Sequence, residues 1–547
     1  MSYRNPRTRL ATHEVTNQPR PLEDVNLHES DAILTSACAW SGAARHADRL
    51  SRLGARVGSA ETQALCARAN RVVPVFLPYD RFGQRIDEVE YDPAYHALMA
   101  LGLEAGVSGA AWNVPEAGHA LHAALLFLMG QADYGVCCPM SMTYAAVPAL
   151  RTQPEVAAAW IPRITAEAYD PRFIPASAKR AATMGMAMTE KQGGSDLRAN
   201  ATRAERQADG SYRLTGHKWF CSAPMSDAFL TLACAEGGLT CFLVPRWRPD
   251  GERNEIEIQR LKDKLGDRSN ASSEIEYRGA SAVRVGDEGR GVRTIIEMVQ
   301  LTRLDCIIGS ATQMRHAAAV ATWHVQGRSA FQRRLIDQPL MRAVLADLAL
   351  DVEASVALAF RLASALDASG DPREAALARI GLPIAKYLVT KRAPTVVAEA
   401  MECMGGAGYV EEAPMARLFR QSPLNAIWEG SGNVIALDLL RALRREPEVR
   451  DALIGELHSA AGANASLDAA AAEVETLLSA PIADASARYA IERLALTFAA
   501  ATLVKHAPSA VSNGFAARRL SGPGITFGAG AGAIAEDAIL ARLALQA

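Results

Sequence analysis

The spacing of apolar residues changes twice along this chain, and that double change limits the folds open to it. From about residue 31 to 182, apolar residues recur every three to four positions, as in "AILTSACAWSGAARHADRLSRLGARV" and "HALHAALLFLMGQADYGV", which predicts helices. Between 183 and 288 the pattern shortens to runs rich in β-branched and aromatic residues, among them "SYRLTGHKWFCS", "AFLTLACA" and "LTCFLVPR". Asp209-Gly210, between two such runs, is a hairpin signature. Helical spacing returns over 289–445 in segments long enough for antiparallel bundle packing. It continues over 446–547 in Ala-rich stretches broken by glycines. Residues 1–30 are polar and turn-like and are expected to form an extended arm or a capping segment. The expected class is α+β, a small β domain set between helical ones. Pro394, within "IAKYLVTKRAPTVVAEAMECMGG", is expected to kink or interrupt its helix.

Composition narrows the function classes. With 58 basic and 60 acidic residues in 547, no global field calls for nucleic acid or a membrane surface, although a local patch stays open. The nine cysteines are scattered, form no CxxC pair and show no regular spacing with histidine. They read as buried thiols in a reducing compartment, not as a disulfide framework or a metal site. The N-terminus has no apolar core of a signal peptide, and no apolar run reaches the roughly 18 residues of a membrane span. Cytoplasmic residence is the expectation.

Five short stretches could carry chemistry. "MGMAMTEKQGGSD" places Thr189, Gly193, Gly194 and Ser195 where helix gives way to strand. Adjacent glycines before Ser-Asp suit an anion or the polar edge of a planar ring, and equally suit a turn joining domains. In "GHKWFCSAP", strand alternation puts Phe220 and Ser222 on one face and turns Trp219 away. That pair could cover and bond a planar ring, or Phe220 could be an ordinary core aromatic. "GRSAFQRR" gathers Arg328, Arg333 and Arg334 around Phe331, fit for a pyrophosphate or for a solvated helix end. Gly405-Gly406 marks either a plain helix C-cap or a close backbone approach. Glu429, in "NAIWEGSGN", is a lone carboxylate at the start of an apolar helix, where a Glu is usually a cap. No GxGxxG follows a strand and no GxxxxGK[ST] occurs, which argues against a Rossmann fold or a nucleotide-hydrolysing loop.

Taken jointly, "MTEKQGGSD", "GHKWFCS", "GRSAF", "MGGAGY" and "IWEGSGN" resemble, in order and spacing over roughly residues 60 to 440, the acyl-CoA dehydrogenase flavoprotein family. The "NQP" arm, the "KLGDRSN" segment and the extra C-terminal piece resemble its AidB subgroup, associated with the adaptive response to DNA alkylation. The resemblance implies a helical domain (31–182), a middle β-barrel (183–288), a C-terminal four-helix bundle (289–445) and an added helical domain (446–547). It implies FAD as cofactor. Met188 and Thr189 fall on the segment lining the flavin, Ser195 on a position contacting cofactor or acyl-CoA phosphate, and Phe220 and Ser222 on flavin-covering positions. Arg328 and Phe331 match residues reaching the FAD of a neighbouring subunit, which implies a homotetramer built as a dimer of dimers. Glu429 matches the catalytic base; Gly405, Gly406, Gly430, Ser431 and Asn433 match cofactor-holding positions, and Thr302 and Arg303 substrate-binding ones.

Three positions depart from that pattern. Gln332 stands for a usual glycine, Gln421 for a usual acid, and Gln300 for an acidic adenine contact, which weighs against efficient binding of an ordinary acyl-CoA. The resemblance to this subgroup also implies binding of duplex DNA through the C-terminal piece. Here residues 451–547 hold six basic and nine acidic side chains, net −3, so a phosphate-binding patch would need Arg441, Arg444 and Arg445 together with Arg518 and Arg519. At this stage a weakly active acyl-CoA dehydrogenase, a non-catalytic flavoprotein that binds and protects DNA, and an ordinary acyl-CoA dehydrogenase all stay open.

Overall fold

A computed structural model describes residues 6–521, 524, 526–530 and 533–546. Its contacts divide the chain into two compact units, one of residues 65–305 and one assembled from 1–64 and 306–547. The division falls inside the long helix Gly291–Gly327.

In the 65–305 unit, helices precede a β-barrel. A hairpin that the helical spacing did not foretell, β1 (Val75–Tyr79) and β2 (Arg85–Glu90), turns at Asp80, whose carboxylate accepts the Phe82 and Gln84 amides, and at Gly83 with φ +80°. The helix Gly118–Ala132 is buried on every side, as its unbroken apolar composition demands. The barrel strands are β3 (Met184–Ala187), β4 (Arg203–Arg206), β5 (Tyr212–Ser222), β6 (Ala228–Ala235), β7 (Gly238–Pro245), β8 (Ile256–Leu261) and β9 (Ser272–Val285). Their order is β3-β6-β4-β5-β9-β7, β7 pairs back with β6, and β8 lies on β9. The ring β6-β4-β5-β9-β7 is therefore closed and leaves no free edge among its five members. The β4–β5 turn forms at Asp209-Gly210 as expected, with Gly210 at φ +85°.

In the other unit the helices Pro339–Asp367 and Pro372–Cys403 pack as long neighbours. Pro372–Cys403 runs without interruption through Pro394, contrary to an interruption there. Ala393, Val396 and Val397 around the proline are fully buried, and tertiary packing outweighs the one lost backbone bond. Pro339–Asp367 is buried all round from Leu345 to Ala363, and it carries Asp347, Asp351, Glu353 and Arg361 into that interior. Each meets a partner, since a buried unpaired charge is costly. Asp347 and Asp351 take Arg519, Asp351 also takes Arg392, Glu353 takes Arg542, and Arg361 takes Glu374 and Glu456. Three of those partners come from beyond residue 446, so the C-terminal helices are tied by ion pairs to the bundle and share its compact unit. The N-terminal arm is anchored as well. Asn17 exchanges two hydrogen bonds with Ser329 (2.7 and 2.8 Å), and the Trp323 indole donates to the Arg20 carbonyl.

Candidate functional site

The loop bearing Glu429 is built from below by a lysine. Lys386 projects from Pro372–Cys403, is 1% exposed, and its Nζ donates to the carbonyls of Asn425, Trp428 and Gly430 at 2.9 Å each. Asn425, fully buried, ties the same loop to the long helix by donating to Ser310 Oγ at 3.0 Å and to the Cys306 carbonyl at 3.3 Å. Its Oδ1 accepts the Trp428 indole N–H at 2.8 Å. Over this support Glu429 takes φ +56° and Gly430 φ +102°. The helix Gly432–Arg445 begins only afterwards, with Ser431 at its N-cap and no acid in its first turn. Glu429 is thus neither the cap nor part of the helix, which corrects the ordinary reading of a glutamate there. It is half-buried, with Ser431 half-buried and Asn433 exposed beside it. Gln421 is buried.

Two further sets of residues in this unit match cofactor positions. Gly405, at φ +60°, and Gly406 follow the end of Pro372–Cys403, and a Cβ at either would meet nothing within 4 Å. The backbone there is open to approach. Arg328 donates to the Asn17 carbonyl at 2.8 Å, and the next residues form a short hairpin, β10 (Ser329–Ala330) and β11 (Arg333–Arg334). Its turn residues Phe331 and Gln332 both have positive φ, and Phe331 is 95% exposed. Arg333 and Arg334 therefore sit on a hairpin rather than on a helix end, Arg328 directly follows the helix Gly291–Gly327, and Arg334 pairs with Asp337.

In the barrel unit, Met188 and Thr189 leave the end of β3 half-buried, held by Trp219 N–H donating to the Thr189 carbonyl at 2.8 Å and by Asn200 donating to that of Met188 at 3.2 Å. Glu190 turns inward. It meets Lys218 Nζ at 2.7 Å with both side chains fully buried, and it accepts the Ala201 and Thr202 amides at 2.7 and 3.2 Å. Burial raises the Glu190 carboxyl, but the Ala201 amide and the Lys218 ammonium outweigh it and hold the group at about 2. Gly194 is close-packed, since a Cβ there would lie 2.9 Å from the Thr189 side chain, and Ser195 is exposed.

A bulge in β5 between Lys218 and Cys221 overturns the alternation expected for this strand. Lys218 and Cys221 both point inward, and Trp219 and Phe220 both remain on the outer side. Lys262 Nζ lies 3.2 Å from the Trp219 ring centroid and 4.7 Å from that of Phe220, so Trp219 is not turned away. Phe220 is 49% exposed, which excludes the core-aromatic reading, and Ser222 lies 3.3 Å from Ser272 Oγ.

Thr302 and Arg303 are buried, and the buried Gln300 Oε1 has no hydrogen-bond partner among the described residues. Near them in sequence, Asp305 anchors a polar network that sequence reasoning missed. His122 Nε2 lies 2.9 Å from Asp305 Oδ1, its ring stacks on Tyr144, and His119 Nδ1 lies 2.7 Å from the Tyr144 hydroxyl. Ser141 also donates to Asp305. Burial, followed by His122 and Arg151, lowers His119 to about 3. Two histidines one turn apart on an apolar helix were the available signal.

The five arginines expected to meet phosphate separate into two groups. Arg441, Arg444 and Arg445, with Leu437 and Asp484, line a cavity of about 330 Å³. Arg444 also donates to Asp484 and to the Ile482 carbonyl, both at 3.0 Å. Arg518 is 6% exposed, and Arg519 is held by Asp347 at 2.8 Å and Asp351 at 3.0 Å. The π-helical turn Ala516–Leu520 directs this pair inward, which removes it from the expected phosphate surface.

The residues present fit a flavin. Taken unit by unit, the barrel unit offers an exposed aromatic beside a hydroxyl, of the kind that covers a planar ring, and the other unit offers an open glycine pair and an arginine at the foot of a hairpin, of the kind that meets a pyrophosphate. Comparison with known proteins agrees. Residues 17–171 match the model of the adaptive response protein AidB N-terminal domain, 185–280 that of the acyl-CoA dehydrogenase middle domain, and 289–444 that of the acyl-CoA dehydrogenase C-terminal domain. A putative acyl-CoA dehydrogenase AidB from Escherichia coli strain K12 is 44% identical over 499 residues, 91% of this chain and 92% of that one. Acyl-CoA dehydrogenase family member 11 of Caenorhabditis elegans is 34% identical, over 73% of this chain and 66% of that one. The crystal structure of ACDH-11 of C. elegans, in complex with C11-CoA, superposes with a TM-score of 0.85 at 28% identity, over 96% of this chain and 95% of that one.

Proposed function

This chain belongs to the acyl-CoA dehydrogenase family of flavoproteins, in its AidB branch, and on that premise we propose that Glu429 removes the α-proton of an acyl-CoA thioester. One observation carries the reading. Glu429 is held half-buried on a braced loop outside any helix, a placement that capping does not explain and that a proton acceptor can use. FAD, the family's cofactor, supplies the two-electron acceptor for the β-hydride when bound.

The chain's own residues supply the rest. Thr189 and Met188 offer a hydroxyl and an apolar edge to the ring, and Phe220 with Ser222 covers it. Gly405, Gly406, Gly430, Ser431 and Asn433 give close backbone approach and helix N-terminal N–H groups to the nucleotide portion. Arg328 and Phe331 reach the cofactor of a neighbouring subunit in a homotetramer, for which the exposed Phe331 argues. Ser195, Thr302 and Arg303 complete the acyl-CoA contacts, and the protein works in the cytoplasm.

Anaerobic titration of the FAD-loaded protein with an acyl-CoA series centred on C11-CoA, the ligand of the C. elegans relative, tests this. Bleaching of the flavin band in the wild type and its loss in Glu429→Gln is the expected result. Bleaching retained in Glu429→Gln removes the assignment.

The cavity lined by Arg441, Arg444 and Arg445 favours a second role, contact of these side chains with duplex DNA phosphates. Retention of a duplex should fall steeply with added salt and weaken in Arg441→Gln. Retention that ignores salt argues against it.

A further inference from the structure

We infer that Lys386 is a positioning residue for Glu429, fixing the left-handed backbone that presents the carboxylate. The inference rests on Glu429 being the proton acceptor.

An ammonium has three N–H donors and no acceptor, and Lys386 is bonded to three loop carbonyls at 2.9 Å. A cation taken out of water has to recover its hydration from such partners. Their sequence positions give the arrangement its effect. Between the carbonyl of Trp428 and that of Gly430 lie the backbone torsions of Glu429 and Gly430, and these are the two consecutive residues with positive φ, +56° and +102°. Glycine adopts such a conformation freely, and glutamate does not. By holding the carbonyl before Glu429 and the one after the Glu429–Gly430 peptide, Lys386 fixes the two peptide planes that bracket this positive-φ pair. The third carbonyl, of Asn425, fixes the start of the same loop, and Asn425 itself is bonded to Ser310 and to the Trp428 indole. Without the lysine the loop keeps its anchor on the long helix and loses the restraint on the segment carrying Glu429.

Hydrogen exchange of residues 424–435 is the direct test, since the Ile427 and Trp428 amides in it donate to the Leu424 carbonyl. In Lys386→Ala, exchange of this segment should rise by about tenfold or more, with Pro339–Asp367 unchanged. Added n-butylammonium, which can refill the space with a cation, should restore protection, and tetramethylammonium, which has no N–H, should not. Unchanged exchange, or any pattern of rescue other than this one, overturns the inference. If Lys386→Ala does not fold, Glu429→Asn decides the matter. Asparagine tolerates positive φ, so relieving a held strain should raise the thermal midpoint, and a fall overturns the inference. The base reading is judged separately, by flavin bleaching in Glu429→Gln. Its failure leaves the exchange result intact, and failed exchange leaves the bleaching result intact.

Discussion

Two lysines among the described residues are buried to 1% or less, one in each compact unit, and each lies beneath a segment assigned to the flavin or to the base. Lys218 supports Thr189 and Trp219 by pairing with Glu190, so one buried charge answers another. Lys386 supports Glu429 through neutral carbonyls. The difference is physical. An ion pair resists the loss of either partner because the survivor is left charged in a dry site, whereas carbonyls left behind are only polar.

That contrast can be broken by mutation. Lys218→Met should cost about 3–5 kcal/mol of stability in urea titration, because Glu190 stays buried with its charge opposed only by amides. Lys386→Met should cost less, about 2 kcal/mol, with its effect concentrated in the loop. The reverse order would show that the carbonyl brace is the stronger device. Adding Glu190→Gln to Lys218→Met should recover more than about 1 kcal/mol, a coupling that a pair acting independently would not show.

Acid should act on both units, through different groups. Glu190 is held at about 2 against an ordinary 4.5, so the folded state binds its proton more weakly than the unfolded one. Its stabilisation is complete above about 4.5 and is lost as pH falls toward 2. His119 in the barrel unit and His316 in the bundle unit each lie at about 3 against 6.5. Between those values the unfolded chain holds more protons, so stability should already fall from about pH 6.5 downward. Thermal midpoints of the wild type and His119→Gln at pH 7 and 5 check this, with a shallower fall expected in the variant. The smallest effect belongs to Phe331→Ala. At 95% exposure it should alter chain stability by less than about 0.5 kcal/mol, while weakening FAD retention if the ring reaches a neighbouring subunit's cofactor.

Much of this architecture was legible in local sequence. Apolar spacing located the β segment between helices, and Asp209-Gly210 located its hairpin, because periodicity and turn chemistry are properties of neighbouring residues. What was hidden depended on partners far along the chain. Nothing around Lys386 announces carbonyls 39 to 44 residues away, and nothing in "AARRL" announces Asp347 and Asp351. The β5 bulge was invisible for a related reason. An alternating pattern extrapolates evenly, and the extra residue that turns Trp219 and Phe220 to the same side is set by pairing with β9. The glutamate was half legible: Gly430 and Ser431 after it are a positive-φ residue and an N-cap, which together place Glu429 before the helix.

The buried Arg315 has a consequence for synthesis. Its guanidinium pairs with Asp31 at 2.9 Å and donates to the Leu543 carbonyl at 2.9 Å. The unit containing it draws on both ends of the described chain, and residues 65–305 form a unit of their own between them. On the ribosome the barrel unit can close as soon as its last strand and helix emerge, but residues 1–64 complete their packing only after the helices Pro339–Asp367 and Glu536–Leu543 have been translated. An early-made segment thus spends most of translation without its permanent neighbours, and nascent chains stalled before Leu543 should expose it to chaperones or proteases.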